Sequence, residues 1–134
     1  MIKTYTGSCH CKAIRFEADV DLADGTYKCN CTICAKTRYW GINVRPENFR
    51  LLSGADALTD YRYNTRRMQL LFCRHCGVAP FTRGEVPELG GSVLSLNVAA
   101  LDGVAPAELL AGPVTYFDGL HDDWANPPAE TAHL

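Results

Sequence analysis

Seven cysteines in three islands constrain this chain more than any other feature: Cys9-His10-Cys11, Cys29-Asn30-Cys31-Thr32-Ile33-Cys34 and Cys73-Arg74-His75-Cys76-Gly77. A structural zinc is closed by four ligands, whereas a catalytic zinc keeps a position open beside three protein ligands. Seven thiols therefore divide into one closed set of four and one open set of three. The odd total argues against complete disulfide pairing, and in a reducing compartment such spacings read as metal ligands.

Spacing assigns a role to each island. Cys9 and Cys11, at i and i+2, share one face of an extended backbone, so both sulfurs reach one metal. Cys73 and Cys76 have the spacing of a knuckle turn, with Gly77 free to take the left-handed conformation such turns use. Together they form the closed set, and because they join distant segments the metal becomes part of the folding free energy. Cys29, Cys31 and Cys34 lie in one local loop and leave a fourth position open to water, a histidine or an incoming thiolate. A helical turn over residues 32–36 would favour thiolate at Cys31 and Cys34, with Lys36 and Arg38 adding positive potential. Three thiolates leave zinc electron-rich and weakly acidic, which favours exchange of a sulfur ligand over activation of water. The bland alternative is an empty trithiol, or a second structural zinc completed by a histidine.

The rest of the chain sets the context. Its 134 residues suit one domain, and 47% hydrophobic with 21% charged residues exclude disordered and fibrous classes. A net charge of −2, with no basic cluster longer than Arg66-Arg67, argues against a nucleic-acid partner. No apolar run approaches the ~20 residues of a membrane span, and no secretory signal precedes Cys9. A soluble, cytoplasmic protein without a membrane partner is expected.

Alternation of apolar and polar residues predicts strands over residues 13–18, 58–63 and 93–98, with further strands at 39–44, 49–52, 68–72, 78–82 and 114–117. Turn residues separate them, and the only helical suggestions are single turns at 32–36 and 106–110. The expected fold class is mainly β, an antiparallel, loop-rich zinc-binding domain over residues 1–125, followed by a flexible tail at 126–134. His10 is expected on the face opposite the ligands, His75 exposed, His121 in a turn and His133 in the tail. Tyr39, Trp40, Tyr61 and Tyr63 read as core or strand residues, one of which can wall the open site. Arg66-Arg67 reads as a solvated hairpin turn.

The runs Gly7 through Phe16, Cys29 through Lys36 and Phe72 through Gly77 resemble the glutathione-dependent formaldehyde-activating enzyme family, whose zinc domain also occurs in centromere protein V. Leu96-Asn97, Leu101-Asp102 and residues 118–124 resemble its closing segment. The resemblance implies a β-tent fold and two zincs, with Cys9, Cys11, Cys73 and Cys76 at the structural site and Cys29, Cys31 and Cys34 at the catalytic one. It also implies a carbon–sulfur lyase-type activity interconverting formaldehyde plus glutathione with S-hydroxymethylglutathione. Lys36, Arg38 and Arg74 are then candidates for anchoring the carboxylates of the thiol. The alternative is a structural zinc module that binds another protein and catalyses nothing. The sequence leaves the oligomeric state open.

Overall fold

In the alternating run around Phe16, the odd-numbered residues are polar and the even-numbered ones apolar. The structure, a computed structural model describing residues 1–63 and 66–134, turns that run into β2 (Arg15–Val20). Phe16, Ala18 and Val20 are buried. Glu17 and Asp19 face the other way, where Arg50 grips them at 2.6 and 2.9 Å. Arg50 belongs to β5 (Phe49–Ser53), which pairs antiparallel with β2, as does β1 (Lys3–Ser8) on its other side. These three strands make the smaller sheet, in the order β1-β2-β5.

The larger sheet has seven strands. β3 (Thr26–Cys29), β4 (Gly41–Val44), β6 (Leu58–Tyr63), β7 (Met68–Cys73), β8 (Phe81–Val86), β9 (Gly91–Asn97) and β10 (Val114–Phe117) stand in the order β10-β3-β4-β9-β8-β7-β6. Register places Leu71, Phe81, Leu96 and Ile42 side by side across four strands. All four are buried against the smaller sheet, where the Phe16 ring lies 6.4 Å from that of Phe81 and 5.6 Å from that of Phe49. Each such side chain contributes roughly 1.5–3 kcal/mol of burial, so this row holds the two sheets together.

The opposite face of the larger sheet is also covered. Leu70, Thr82 and Ser95, adjacent in register, are buried beneath Tyr39, whose hydroxyl donates to the Ser95 carbonyl at 2.9 Å, and Tyr27, whose hydroxyl meets Ser95 Oγ at 2.6 Å. Cys29 lies two residues after Tyr27 on β3 and so points to this same face. The fold thus buries one face for stability and furnishes the other with a thiol.

The expected strands are present with shifts that have physical causes. The strand anticipated at 78–82 begins at Phe81, because residues 78–80 return from the Cys73–Cys76 turn and Pro80 has no N–H for a ladder. β1 and β3 were not anticipated: β1 buries only Tyr5, Gly7 and Ser8, and β3 has only four residues. One pairing departs from the antiparallel rule, since β10 runs parallel to β3. A parallel neighbour needs a long crossover, and the excursion through β4 to β9 supplies it. The helical turns α1 (Thr32–Thr37) and α2 (Pro106–Leu109) stand where expected, and Arg66-Arg67 lie in a turn. Among the described residues no helix is long and apolar enough to cross a membrane.

Candidate metal centres

Cys9 follows the last residue of β1 and Cys73 is the last of β7, so the ends of two strands in different sheets bring the first and third islands together. The sulfurs of Cys9, Cys11, Cys73 and Cys76 lie within 4.8 Å of one another. Cys9 and Cys11 Sγ are 3.7 Å apart and Cys11 and Cys73 Sγ 3.6 Å, and all seven cysteines are free thiols. A zinc–sulfur bond of ~2.3 Å gives a tetrahedron with an edge of about 3.8 Å, so the four sulfurs already have the spacing such an ion needs.

Main-chain amides tune this set. The N–H of Ile14 donates to Cys9 Sγ and that of His75 to Cys73 Sγ, each at 3.3 Å. Gly77 takes φ +81° and its N–H closes the knuckle on the Cys73 carbonyl at 2.8 Å. Against desolvation, the N–H groups of Cys11 and Val78 bring the Cys76 thiol down to about 6. Cys9 and Cys73 are buried with Ile14 and Ala57 in a small apolar cluster of their own. Cys9 and Cys11 sit in a turn over residues 9–14, closed by Lys12 N–H on the Cys9 carbonyl, and Lys12 takes φ +67°. A turn, rather than a shared strand face, aims the two sulfurs together, and His10 sits exposed within it.

The second set is local. Cys29 ends β3, Cys31 is the residue that caps α1, and Cys34 lies in the first turn of that helix. Their sulfurs also lie within 4.8 Å of one another. Cys31 makes no side-chain capping bond to the helix, which leaves its sulfur for the other two. Hydrogen bonds from the thiols of Cys31 and then Cys34, with the N–H groups of Cys31 and Gly119, hold the Cys29 thiol far below its ordinary range. The same contacts with Cys29 raise Cys31 and Cys34. Three sulfurs this close cannot all ionise without a cation among them, because each charge opposes the next. A set of soft, mutually repelling thiolates suits a thiophilic divalent ion, so the residues fit a metal.

The closing segment after β10 builds one wall of this site. Asn30 donates to Asp118 Oδ1 at 2.8 Å and accepts the Leu120 N–H at 3.0 Å. Asp118 in turn holds His121 Nδ1 at 2.9 Å. Gly119 approaches so closely that a Cβ there would fall 2.6 Å from Cys29 Sγ and 3.0 Å from the Trp124 ring. Tyr27, Phe117 and Trp124 pack in sequence with tilted rings, centroids 5.8 Å apart at each step. Burial above all keeps Tyr27 and Tyr63 protonated, Tyr27 being pushed up to about 12. These phenols are neutral and are not bases.

A cavity of about 210 Å³ opens beside the triad, lined by Lys28, Cys29, Cys34, Arg38, Tyr39 and Leu134. Arg38 closes α1 in the left-handed conformation and its guanidinium donates to the His133 carbonyl. Lys28 donates to the main-chain oxygen of Leu134 at 3.4 Å. Of the three cations nominated from sequence, Arg38 is therefore at the cavity and Lys36 is exposed on α1. Arg74 lies in the knuckle of the four-cysteine set. Gly119, Asn30, Lys28 and Leu134 were not nominated. Only the placement of Gly119 and Asn30 beside Asp118 and Cys29 gave any hint of a role.

The family model of the glutathione-dependent formaldehyde-activating enzyme matches residues 4–114, which takes in all seven cysteines and stops short of residues 118–124. A structural-genomics crystal structure of a Rhodobacter sphaeroides protein is 31% identical in sequence, with a TM-score of 0.67, and the similarity covers 82% of this chain and 99% of that one. With both cysteine sets inside a match that spans well over half its length, the chain belongs to the glutathione-dependent formaldehyde-activating enzyme family.

Proposed function

We propose that the protein binds glutathione or a closely related thiol at Cys29, Cys31 and Cys34 and interconverts it with its formaldehyde adduct, a carbon–sulfur lyase-type reaction. The observation that carries this reading is the triad itself: three sulfurs within 4.8 Å on one loop, with a cavity rather than a fourth cysteine beside them. Family membership supports the choice of thiol and aldehyde. Zinc is the ion proposed for both sets, closed by Cys9, Cys11, Cys73 and Cys76 and left with a free position by Cys29, Cys31 and Cys34. Bound at the triad, it would supply the positive charge that lets the three cysteines and an incoming thiol ionise together.

The chain's own residues then have distinct tasks. Gly119 gives the closing segment room to approach Cys29, while Tyr27, Phe117 and Trp124 restrict the approach of bulk water. Arg38, with Lys36 nearby on α1, offers charge to the carboxylates of the tripeptide. In the addition direction a bond forms between the thiol sulfur and the aldehyde carbon, and the carbonyl oxygen takes the proton the thiol gives up. No net acid or base is consumed. The free thiols of the chain persist in a reducing compartment such as the cytoplasm.

Cobalt reports on this proposal, since its sulfur-to-metal charge-transfer band strengthens when a light ligand is replaced by sulfur. With both sets filled by cobalt, millimolar glutathione is expected to strengthen the band, and Cys34→Ser to abolish the response. An unchanged wild-type spectrum would leave the interaction-module reading in its place.

A further inference from the structure

The seven-stranded sheet ends at β6, and no described residue pairs with the outer edge of that strand. The other sheet edges carry features that discourage pairing with another chain. β1 is covered where Gly7 bridges Leu101 and the Asp102 N–H donates to the Thr6 carbonyl at 2.9 Å. β5 bulges at Leu52, which is left without a partner while Leu51 and Ser53 face Phe16 and Arg15. β10 has only four residues and follows Pro113 directly. β6, by contrast, has six residues matched one to one with β7, without proline or bulge. It also displays Tyr61, 54% exposed, with its ring 6.3 Å from that of Tyr63 and nearly parallel to it.

We propose that β6 pairs antiparallel with β6 of a second copy of this chain, about a two-fold axis at Tyr61. The pairing is independent of the thiol reading given above. Its register follows from two features of the strand, the first being the direction of its main-chain groups. The Arg74 N–H donates to the Ala57 carbonyl at 2.9 Å, so Ala57 and every second residue after it direct their N–H and C=O groups toward β7. Asp60 and Arg62 therefore direct theirs outward. Any register that brings these outward groups together must be centred on a residue and not between two.

Charge selects among the registers that remain. An axis at Asp60 would set Asp60 opposite Asp60, and an axis at Arg62 would set Arg62 opposite Arg62; like charges directly opposite each other are destabilising. An axis at Tyr61 sets Asp60 of each copy opposite Arg62 of the other. The two residues already form an ion pair within the chain at 2.9 Å, so acid and base alternate around the axis. Each Asp60 also exchanges main-chain hydrogen bonds with the opposite Arg62. On the other face the two Tyr61 rings meet, which covers an exposed aromatic pair. Tyr61 lies opposite Leu70 in register and so on the face that carries Cys29, and a two-fold axis perpendicular to the sheet opens both triads on the same side. Such an isologous contact uses up both β6 edges and closes the assembly at two chains.

Sedimentation velocity of the zinc-loaded protein from micromolar to millimolar concentration tests this. The wild type is expected to pass from one chain to two as its concentration rises. Asp60→Arg alone and Arg62→Asp alone each set like charges opposite each other twice, and each should weaken dimerisation by about tenfold or more. An equimolar mixture of these two single variants should form a heterodimer, because opposite charges then face each other in both pairs. The double variant carrying Asp60→Arg and Arg62→Asp should dimerise like the wild type, which keeps the test independent of how well either single variant folds. A wild type that remains one chain at millimolar concentration overturns the proposal, as does a species larger than two chains. A dimer indifferent to both single substitutions overturns it too, and so does a double variant that fails to dimerise.

Discussion

The two cysteine sets contain the same chemistry in opposite structural settings. Cys9 and Cys11 hang from the smaller sheet and Cys73 and Cys76 from the larger, so the closed set bridges two sheets that otherwise touch through apolar side chains. Cys29, Cys31 and Cys34 come from one strand end and the helix that follows it, and their neighbours Phe117 and Gly119 belong to the strand paired with β3 and the segment just after it. An ion in the first set crosslinks the fold; an ion in the second crosslinks a loop. Identical ligands therefore differ in what their loss costs, because the cost depends on how much chain each one fixes.

The strongest challenge to this contrast is a pair of serine substitutions. Cys76→Ser removes one ligand from the inter-sheet site, where structural zinc contributes ~10 kcal/mol or more to folding, comparable to the whole stability of a domain. The expected result is an unfolded or insoluble chain. Cys34→Ser should keep the strand signal in far-ultraviolet circular dichroism and melt close to the wild type, having lost only a local crosslink. Equal melting of the two variants would show that the sets share the structural task.

A smaller effect sharpens the same contrast from the other side. Gly119→Ala places a methyl group 2.6 Å from Cys29 Sγ, where something must shift. Overpacking of this kind costs about 1–3 kcal/mol, and here the strain is relieved by lifting the closing segment off the triad. Metal analysis should then find the four-cysteine set still filled and the glutathione response of the cobalt protein lost or weakened. Loss of both metals would mean that the two sites are coupled through the sheet.

This difference also explains what was legible in the sequence. The ligand sets could be read from spacing because CxC, CxCxxC and CxxC are local patterns, and the β class could be read from alternation such as that around Phe16. The pairing of the first island with the third followed from their spacings together with the count of seven thiols. What could not be read depends on contacts between distant residues. Gly119 is one glycine among eleven until Cys29 is seen against it. Lys28 looks like an ordinary strand lysine until a residue more than a hundred positions later meets it. The turn that presents Cys9 and Cys11 was misread as a strand because i, i+2 spacing fits both, and only Lys12 in the left-handed region distinguishes them. β10 beside β3 was invisible for the same reason, since parallel pairing over such a separation leaves no mark in the sequence.

The subtlest test concerns how the open site's wall is fastened. Asn30 sits between two of the triad cysteines and ties them to the closing segment through Asp118 and the Leu120 N–H. The Asn30 amide, and after it the His121 imidazole, hold the Asp118 carboxyl below its ordinary range. A carboxyl lowered in the folded state stabilises the tie fully above its unfolded pKa of about 4 and loses that contribution as the pH falls through the lowered value. Asn30→Ala removes the larger of the two causes, so the Asp118 carboxyl carbon, followed by NMR, should titrate at a higher pH than in the wild type. The closing segment should loosen with it while the melting of the domain is little changed, because neither bond crosses between the sheets. An Asp118 midpoint that does not move would show that the segment is held by the Phe117–Trp124 packing and not by Asn30, and the fastening of the open site would then be apolar, like the core between the sheets.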